Sequence, residues 1–225
     1  MENKRIRLIL QSLQICFVTG CLSAIALIAN VHTSTAGLFD STVDRLPTNE
    51  RVALRKGQSL VTGDKGKYTA RVLITTSLDT AWAVLTDYNN FSKFLPNVVS
   101  SKVISANNNQ KLIEQVDSRQ VFLLNVKSRI RSAITETEKS RIDFEQVEGD
   151  LKSMKGYWLI EPIAPYTGAK ANQVLITQVV EVQPKSGTPA DVFYGIFKDS
   201  LSKMMGAIKQ EAERKSPSVS QNKQL

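Results

Sequence analysis

Two side-chain chemistries are nearly missing from this chain. Of its 225 residues only two are cysteine and one is histidine, and all three (Cys16, Cys21 and His32) fall within the first 36 positions. Beyond residue 36 the sequence offers no thiol nucleophile, no imidazole base, no disulfide and no zinc site that depends on either side chain. Any reaction there has to run on Asp, Glu, Lys, Arg, Tyr, Ser or Thr, and no cofactor is expected. An internal repeat is lacking too, and so is a phosphate-binding loop: Gly63-Asp64-Lys65-Gly66 has neither the spacing nor the following helix that a phosphate cradle needs. The basic excess is modest, +8 for the whole chain and +6 once Glu2, Lys4, Arg5 and Arg7 are set aside. No nucleic-acid motif accompanies it, so nucleic acid is not an expected partner. Peripheral contact with an anionic membrane surface stays open.

The 42% hydrophobic content is that of one packed core. Ahead of it, "MENKRIR" supplies Lys4, Arg5 and Arg7, the run from Ile15 to Ala29 is apolar except at Thr19, Gly20 and Ser23, and Ser34-Thr35-Ala36 offers small residues. This order predicts a secretory signal peptide over residues 1–36 and an exported protein, in a periplasm, a lumen or the medium. A membrane anchor through residues 8–31 is the alternative, although a span of about 20 apolar residues would have to include Gln11, Ser12 and Gln14. A lipoprotein box at "VTGC", acylated on Cys21, is a third reading, opposed by the apolar "LSAIALIA" that follows. Residues 37–57 are expected to form a leader, of which 37–50 have no periodicity and are expected to be mobile.

From residue 58 the pattern is that of a folded domain ending near 215. Gly63-Asp64-Lys65-Gly66 separates two β-prone runs, and Tyr68, Ala70, Val72 and Ile74 share one face of the second. Ser77 is placed as a helix N-cap, with Asp79 in the first turn. Leu78, Ala81, Trp82, Leu85 and Tyr88 recur at helical spacing until Asn89-Asn90. A second short turn holds Phe91, Phe94 and Leu95, and Pro96 ends it.

Strands follow up to Val182. "VVSSKVI" and "KLIEQVDS" flank the turn "SANNNQ". "VFLLNVKSRIRSAIT" alternates Phe122, Leu124, Val126, Ile130 and Ile134 against Asn125, Lys127, Arg129 and Arg131, so one face is buried and one is wet. "RIDFEQV", "GDLKSMKGYWLIEP" and "QVLITQVVEV" complete an antiparallel meander. Period 3.6 then governs Val192, Phe193, Ile196, Phe197, Leu201, Met204, Ile208 and Ala212 between Pro189 and Pro217, a helix of about 25 residues and nearly 40 Å. The polar stretch 216–225 is expected to be disordered.

Hairpin, two short helices, antiparallel meander and long final helix make an α+β, helix-grip plan. With "AWAVLTDYNNFSKFLPNVVSSKVI" and "GDLKSMKGYWLIEP" the sequence resembles the polyketide cyclase/dehydrase and coenzyme Q-binding START-like family over roughly residues 66–213. The resemblance implies a curved sheet wrapped around the last helix, as in birch-pollen-type allergens, with an apolar cavity between them. Trp82, Asp87, Tyr88, Phe94, Pro96, Gly149, Gly156 and Trp158 fall at the family's signature positions and mostly shape the fold.

The guest implied is a hydrophobic small molecule such as a prenylquinone, lipid or pigment. Candidate ligand contacts are Tyr88, Phe94, Phe122, Leu124, Val126, Ser128, Ile130, Trp158, Phe193, Phe197, Leu201 and Met204. Ser128 and Ser132 are the polar residues in phase with the inward apolar ones. Each can serve a ligand carbonyl or a neighbouring backbone group. Lys127, Arg129 and Arg131 form a basic stripe that is either a solvated face or a membrane-docking one. Non-enzymatic binding or transport is the leading expectation. A cyclase or aromatase using the same cavity, and a protein-binding module with a filled core, are the alternatives, and no catalytic or metal-binding residue stands out.

Overall fold

The computed structural model describes residues 41–121 and 124–216. The expectations for the signal segment and for the tail beyond Ser216 therefore lie outside the described residues. The elements run α1 (Thr48–Arg55), β1 (Leu60–Asp64), β2 (Lys67–Ile74), α2 (Leu78–Leu85), a 3-10 turn (Tyr88–Asn90), α3 (Phe91–Phe94), β3 (Val98–Asn107), β4 (Gln110–Val121), β5 (Leu124–Thr137), β6 (Arg141–Gly149), β7 (Leu151–Ile163), β8 (Gln173–Pro184) and α4 (Ala190–Lys215). The strands form one antiparallel sheet in the order β1-β2-β8-β7-β6-β5-β4-β3.

Local chemistry explains the boundaries. Lys65 and Gly66 both have positive φ (46° and 88°), the geometry of a two-residue hairpin turn, and a Cβ on Gly66 would stand 2.3 Å from the Val182 carbonyl oxygen. The Ser77 hydroxyl accepts a hydrogen bond from the Thr80 amide at 3.1 Å and starts α2. Leu95, ahead of Pro96, has left the helical region (ψ 132°), which stops α3. Pro189 precedes α4, Asp191 sits in its first turn, and Arg214 and Lys215 sit in its last, each on the side of the helix dipole that favours it.

Register shifts in the β3–β4, β5–β6 and β7–β8 pairs bend the sheet. Gly156 of β7 contributes as well. A Cβ there would lie 2.0 Å from the Val179 carbonyl oxygen and 2.8 Å from the Phe144 ring, so only glycine lets β8 and Phe144 approach so closely. The main core lies on the concave face, where Val72, Ile74, Val84, Ile176, Val180, Met205 and Ile208 are fully buried between sheet, α2 and α4.

Two expectations about organisation change. Segment 41–57, expected as a leader mobile as far as residue 50, is ordered in the structure: Val43 and Leu54 are buried with Leu73, Ile163 and Leu175 in a second core. Arg71 binds Glu50 at 3.0 Å and Arg55 binds Asp44 at 2.6 Å, fixing the segment to the sheet and to itself. The run 121–135, read as one strand, is divided between β4 and β5, which pair as far as Val121 with Leu124.

Candidate functional site

The concave face does not close on itself. A cavity of about 190 Å³ lies between the sheet, the α2–α3 segment and α4. At roughly 10–15 Å³ for each water-sized group, that is room for on the order of a dozen non-hydrogen atoms. Val84, Leu85, Tyr88, Phe91, Leu95 and Pro96 form the wall contributed by the broken helix pair. A single straight helix would cover this bent surface less completely, so the break after Leu85 is what closes this side of the cavity.

β5, β6 and β7 supply Ile130, Ser132, Ile134, Ile142, Phe144 and Trp158, and α4 supplies Phe197, Leu201, Met204 and Ile208. The α4 wall is soft, with Phe197 stacked on Phe193 at 5.8 Å and Met204 able to adapt to irregular shapes.

One end of the cavity is polar. Gln115, Asp117 and Arg119 alternate along β4 and point to the same face, and Ser200 meets them from α4. The Gln115 amide donates to Asp117 at 3.0 Å, and an Arg119 guanidinium nitrogen lies 3.4 Å from the same carboxylate. Arg119 also donates to the Ser200 hydroxyl at 2.5 Å, which in turn donates to the Ile196 carbonyl at 2.7 Å. Burial is the largest influence on Asp117 and pushes its carboxyl above the ordinary range, against the opposing pull of Gln115 and Arg119. The cluster as a whole carries no net charge.

A second titratable group, Tyr88, also lines the cavity. Its phenol donates to Glu136 at 2.7 Å, and burial followed by that carboxylate pushes its pKa far above the usual value. Such a tyrosine stays protonated and is spent on holding Glu136, which Lys111 also pairs. Gln178 of β8 also lines the wall; its Oε1 is buried without a hydrogen-bond partner among the described residues.

Of the residues singled out from sequence, Tyr88, Ile130, Trp158, Phe197, Leu201 and Met204 line the cavity. Phe94 and Phe193 pack against the core without lining it. Val126 and Ser128 do not reach the cavity either. They are the cross-strand partners of Arg119 and Asp117, but β6 begins to pair with β5 only at Ile130, so they sit where the β4–β5 hairpin runs past its neighbour. Val126 is 48% exposed there. Phe122 and the Leu124 side chain lie outside the described residues.

The basic stripe is largely neutralised. Lys102, Glu114, Arg131 and Glu148 are successive cross-strand partners over four strands, and Arg129 bonds Glu114 at 3.2 Å and Glu148 at 2.6 Å. Hydrogen bonds from Arg131, then from Lys102 and Arg129, hold the Glu114 carboxyl down at about 2.

The fold and the hollow beneath α4 place the chain among helix-grip proteins. The model of the family "Polyketide cyclase / dehydrase and lipid transport" matches residues 74–209, and the chain belongs to this family. No curated protein matches it in sequence. Among solved structures it is similar to human STARD10 (TM-score 0.53, 15% identity, 76% of this chain and 82% of that one). A STAR-related lipid transfer protein fragment from Xanthomonas axonopodis is equally alike (TM-score 0.53, 15% identity, 68% of this chain and 98% of that one). So, at a TM-score of 0.50, is the Zhui aromatase/cyclase from a Streptomyces species (15% identity, 65% and 92%). At these identities the likeness is one of fold.

Proposed function

We propose that this chain binds and carries, without chemical change, a small amphipathic molecule: an apolar body with a neutral polar head. The observation that carries the reading is the cavity itself, apolar along most of its wall and bordered by the Gln115, Asp117, Arg119 and Ser200 cluster. Each buried methylene of a guest contributes about 0.8 kcal/mol, so ten give roughly 8 kcal/mol before ordering costs, near the micromolar range. Room for about a dozen atoms suits one acyl chain, a short isoprenoid or a fused-ring molecule, and not a two-chain lipid held whole. Membership of a family described by lipid transport agrees with this. The N-terminal basic and apolar segment supports a site of action outside the cytoplasm, which fractionation of tagged protein would check.

Extraction of the purified chain and mass spectrometry test the reading, followed by equilibrium dialysis with dodecanol. Recovery of a stoichiometric apolar guest, or saturable dodecanol binding, is expected. An empty protein that retains no dodecanol would refute it.

A specific observation favours a second reading, that of a cyclase: Asp117 is a carboxyl raised by burial beside an arginine, inside the cavity. Such a group can move a proton on a folded polyketide chain. Under this reading Asp117→Asn abolishes turnover while guest retention persists; under the first there is no turnover to lose.

A further inference from the structure

Gln178 stands apart from the polar end of the cavity. It lies on β8, and three strands, β7, β6 and β5, separate it in the sheet from the β4 cluster. Its cross-strand partners are Trp158 on one side and Ala70 on the other, and the cavity residues near it in the sheet, Trp158 and Val180, are apolar. The residue is 6% exposed, and its Oε1 atom is buried with no donor among the described residues.

A buried polar atom without a partner is uncommon in folded proteins, and because Gln178 lines the cavity a turn of its amide presents that atom to the occupant. We infer that Gln178 is a specificity-determining residue, selecting guests that carry a hydroxyl group, an alcohol or a phenol, on an otherwise apolar body. The inference rests on the carrier reading and adds the ligand chemistry to it.

Water that enters an empty cavity can bond the amide. A hydrocarbon guest expels that water and supplies nothing, leaving the amide without a partner in an apolar wall. A hydroxyl both donates and accepts, so it serves the carbonyl or the NH2 end alike, and a turn about the Cγ–Cδ bond exchanges those ends. Sites that hydrogen-bond a guest discriminate strongly against the analogue that lacks the group, because the protein partner is left unpaired. The polar end serves the head of the guest, and three strands separate its β4 residues from Gln178.

Equilibrium dialysis of the full chain against 2-naphthol and naphthalene, two probes of nearly equal size that fit the cavity, tests the inference. The wild-type chain is expected to bind 2-naphthol at least ~10-fold more tightly than naphthalene. Gln178→Met, which keeps a side chain of similar length without the amide, is expected to remove that preference and to bind naphthalene better than the wild type does. Equal wild-type affinities for the two probes overturn the inference while leaving the carrier reading standing. A preference that persists unchanged in Gln178→Met overturns the assignment to this residue. Failure of both probes to bind a wild-type chain that retains dodecanol overturns the inference alone, whereas a chain that retains neither the probes nor dodecanol refutes the carrier reading and this inference with it. The wild-type comparison needs no variant, so it decides even if Gln178→Met does not fold.

Discussion

A ring placed at position 132 separates a hollow kept for a guest from one that packing has merely left. Leaving about 190 Å³ unfilled costs about 4–5 kcal/mol at ~24 cal/mol per Å³. That is a large share of the 5–15 kcal/mol by which a domain is typically stable. Ser132 lines the cavity from β5, between Ile113 and Gln146 on the neighbouring strands. Phenylalanine suits a strand, and its ring would enter the void and fill roughly half of it, worth about 2 kcal/mol. Strain and lost rotamer freedom reduce this to about 1–2 kcal/mol.

At ~2–4 °C per kcal/mol for a domain of this size, Ser132→Phe should melt about 2–8 °C higher than the wild type. Urea unfolding should show a later midpoint with the same slope. Dodecanol retention in dialysis should fall at least tenfold, because the ring takes the guest's place. Stabilisation together with loss of binding is the signature of a cavity kept open at the expense of stability. A variant that retains dodecanol as the wild type does, or one that is destabilised by the added ring, refutes the reasoning.

Leu54→Ala, at a side chain 1% exposed in the second core, should cost about 2–5 kcal/mol; a change within 0.5 kcal/mol in urea unfolding would mean that segment 41–57 adds nothing to the domain. Gly156→Ala should lower stability by at least about 1–3 kcal/mol, since its methyl meets the β8 backbone; an unchanged midpoint would show that the sheet bends without this contact. Glu114, held at about 2 against an ordinary 4.5, contributes stability that is fully present above pH 4.5 and is lost as pH falls toward 2. Melting temperature followed over that interval should therefore drop more steeply for the wild type than for Glu114→Gln, and parallel curves would refute the assignment. Asp117→Asn leaves Arg119 without its carboxylate, so the ratio of dodecanoate to dodecanol binding should rise roughly tenfold or more; an unchanged ratio would show that Arg119 does not face the guest.

Much of the fold is legible in the sequence because its signals are local. Ser77 caps α2, Pro96 ends α3, Lys65 and Gly66 turn the first hairpin, and Pro189 opens α4. The inward phase of β5 is legible at Ile130 and Ile134, since their alternation with Arg129 and Arg131 is clean. Strand β4 defeats the same test. Beyond Ile113 its inward residues Gln115, Asp117 and Arg119 are polar, while the opposite phase holds Leu112 and Val116, so apolarity does not mark the inward face. Only α4, bringing Ser200 against Arg119, gives those side chains an interior. A polar phase along a strand flanked by clean amphipathic ones was the signal available, and it marks the polar end of a cavity. Segment 41–57 is opaque for a different reason, since it covers a small patch with Val43 and Leu54 and needs no sustained period to do so.

The charge balance of the polar end narrows what the cavity can hold. An anionic head group arriving beside Arg119 would also arrive beside Asp117, which is already within 3.4 Å of that guanidinium and only 16% exposed. At an effective dielectric near 20, two like charges about 4 Å apart repel by about 4 kcal/mol, which offsets an attraction of the same size to the arginine. A charged head therefore gains little here and still loses its hydration, whereas a hydroxyl or carbonyl gives up less solvent and can accept from Arg119. The same logic disposes of the surface charge: Arg129 and Arg131 face outward and are bound by Glu114 and Glu148, so the basic excess of the chain does not reach the cavity. Selection inside thus depends on hydrogen bonding and fit, and the guest that best satisfies both is neutral.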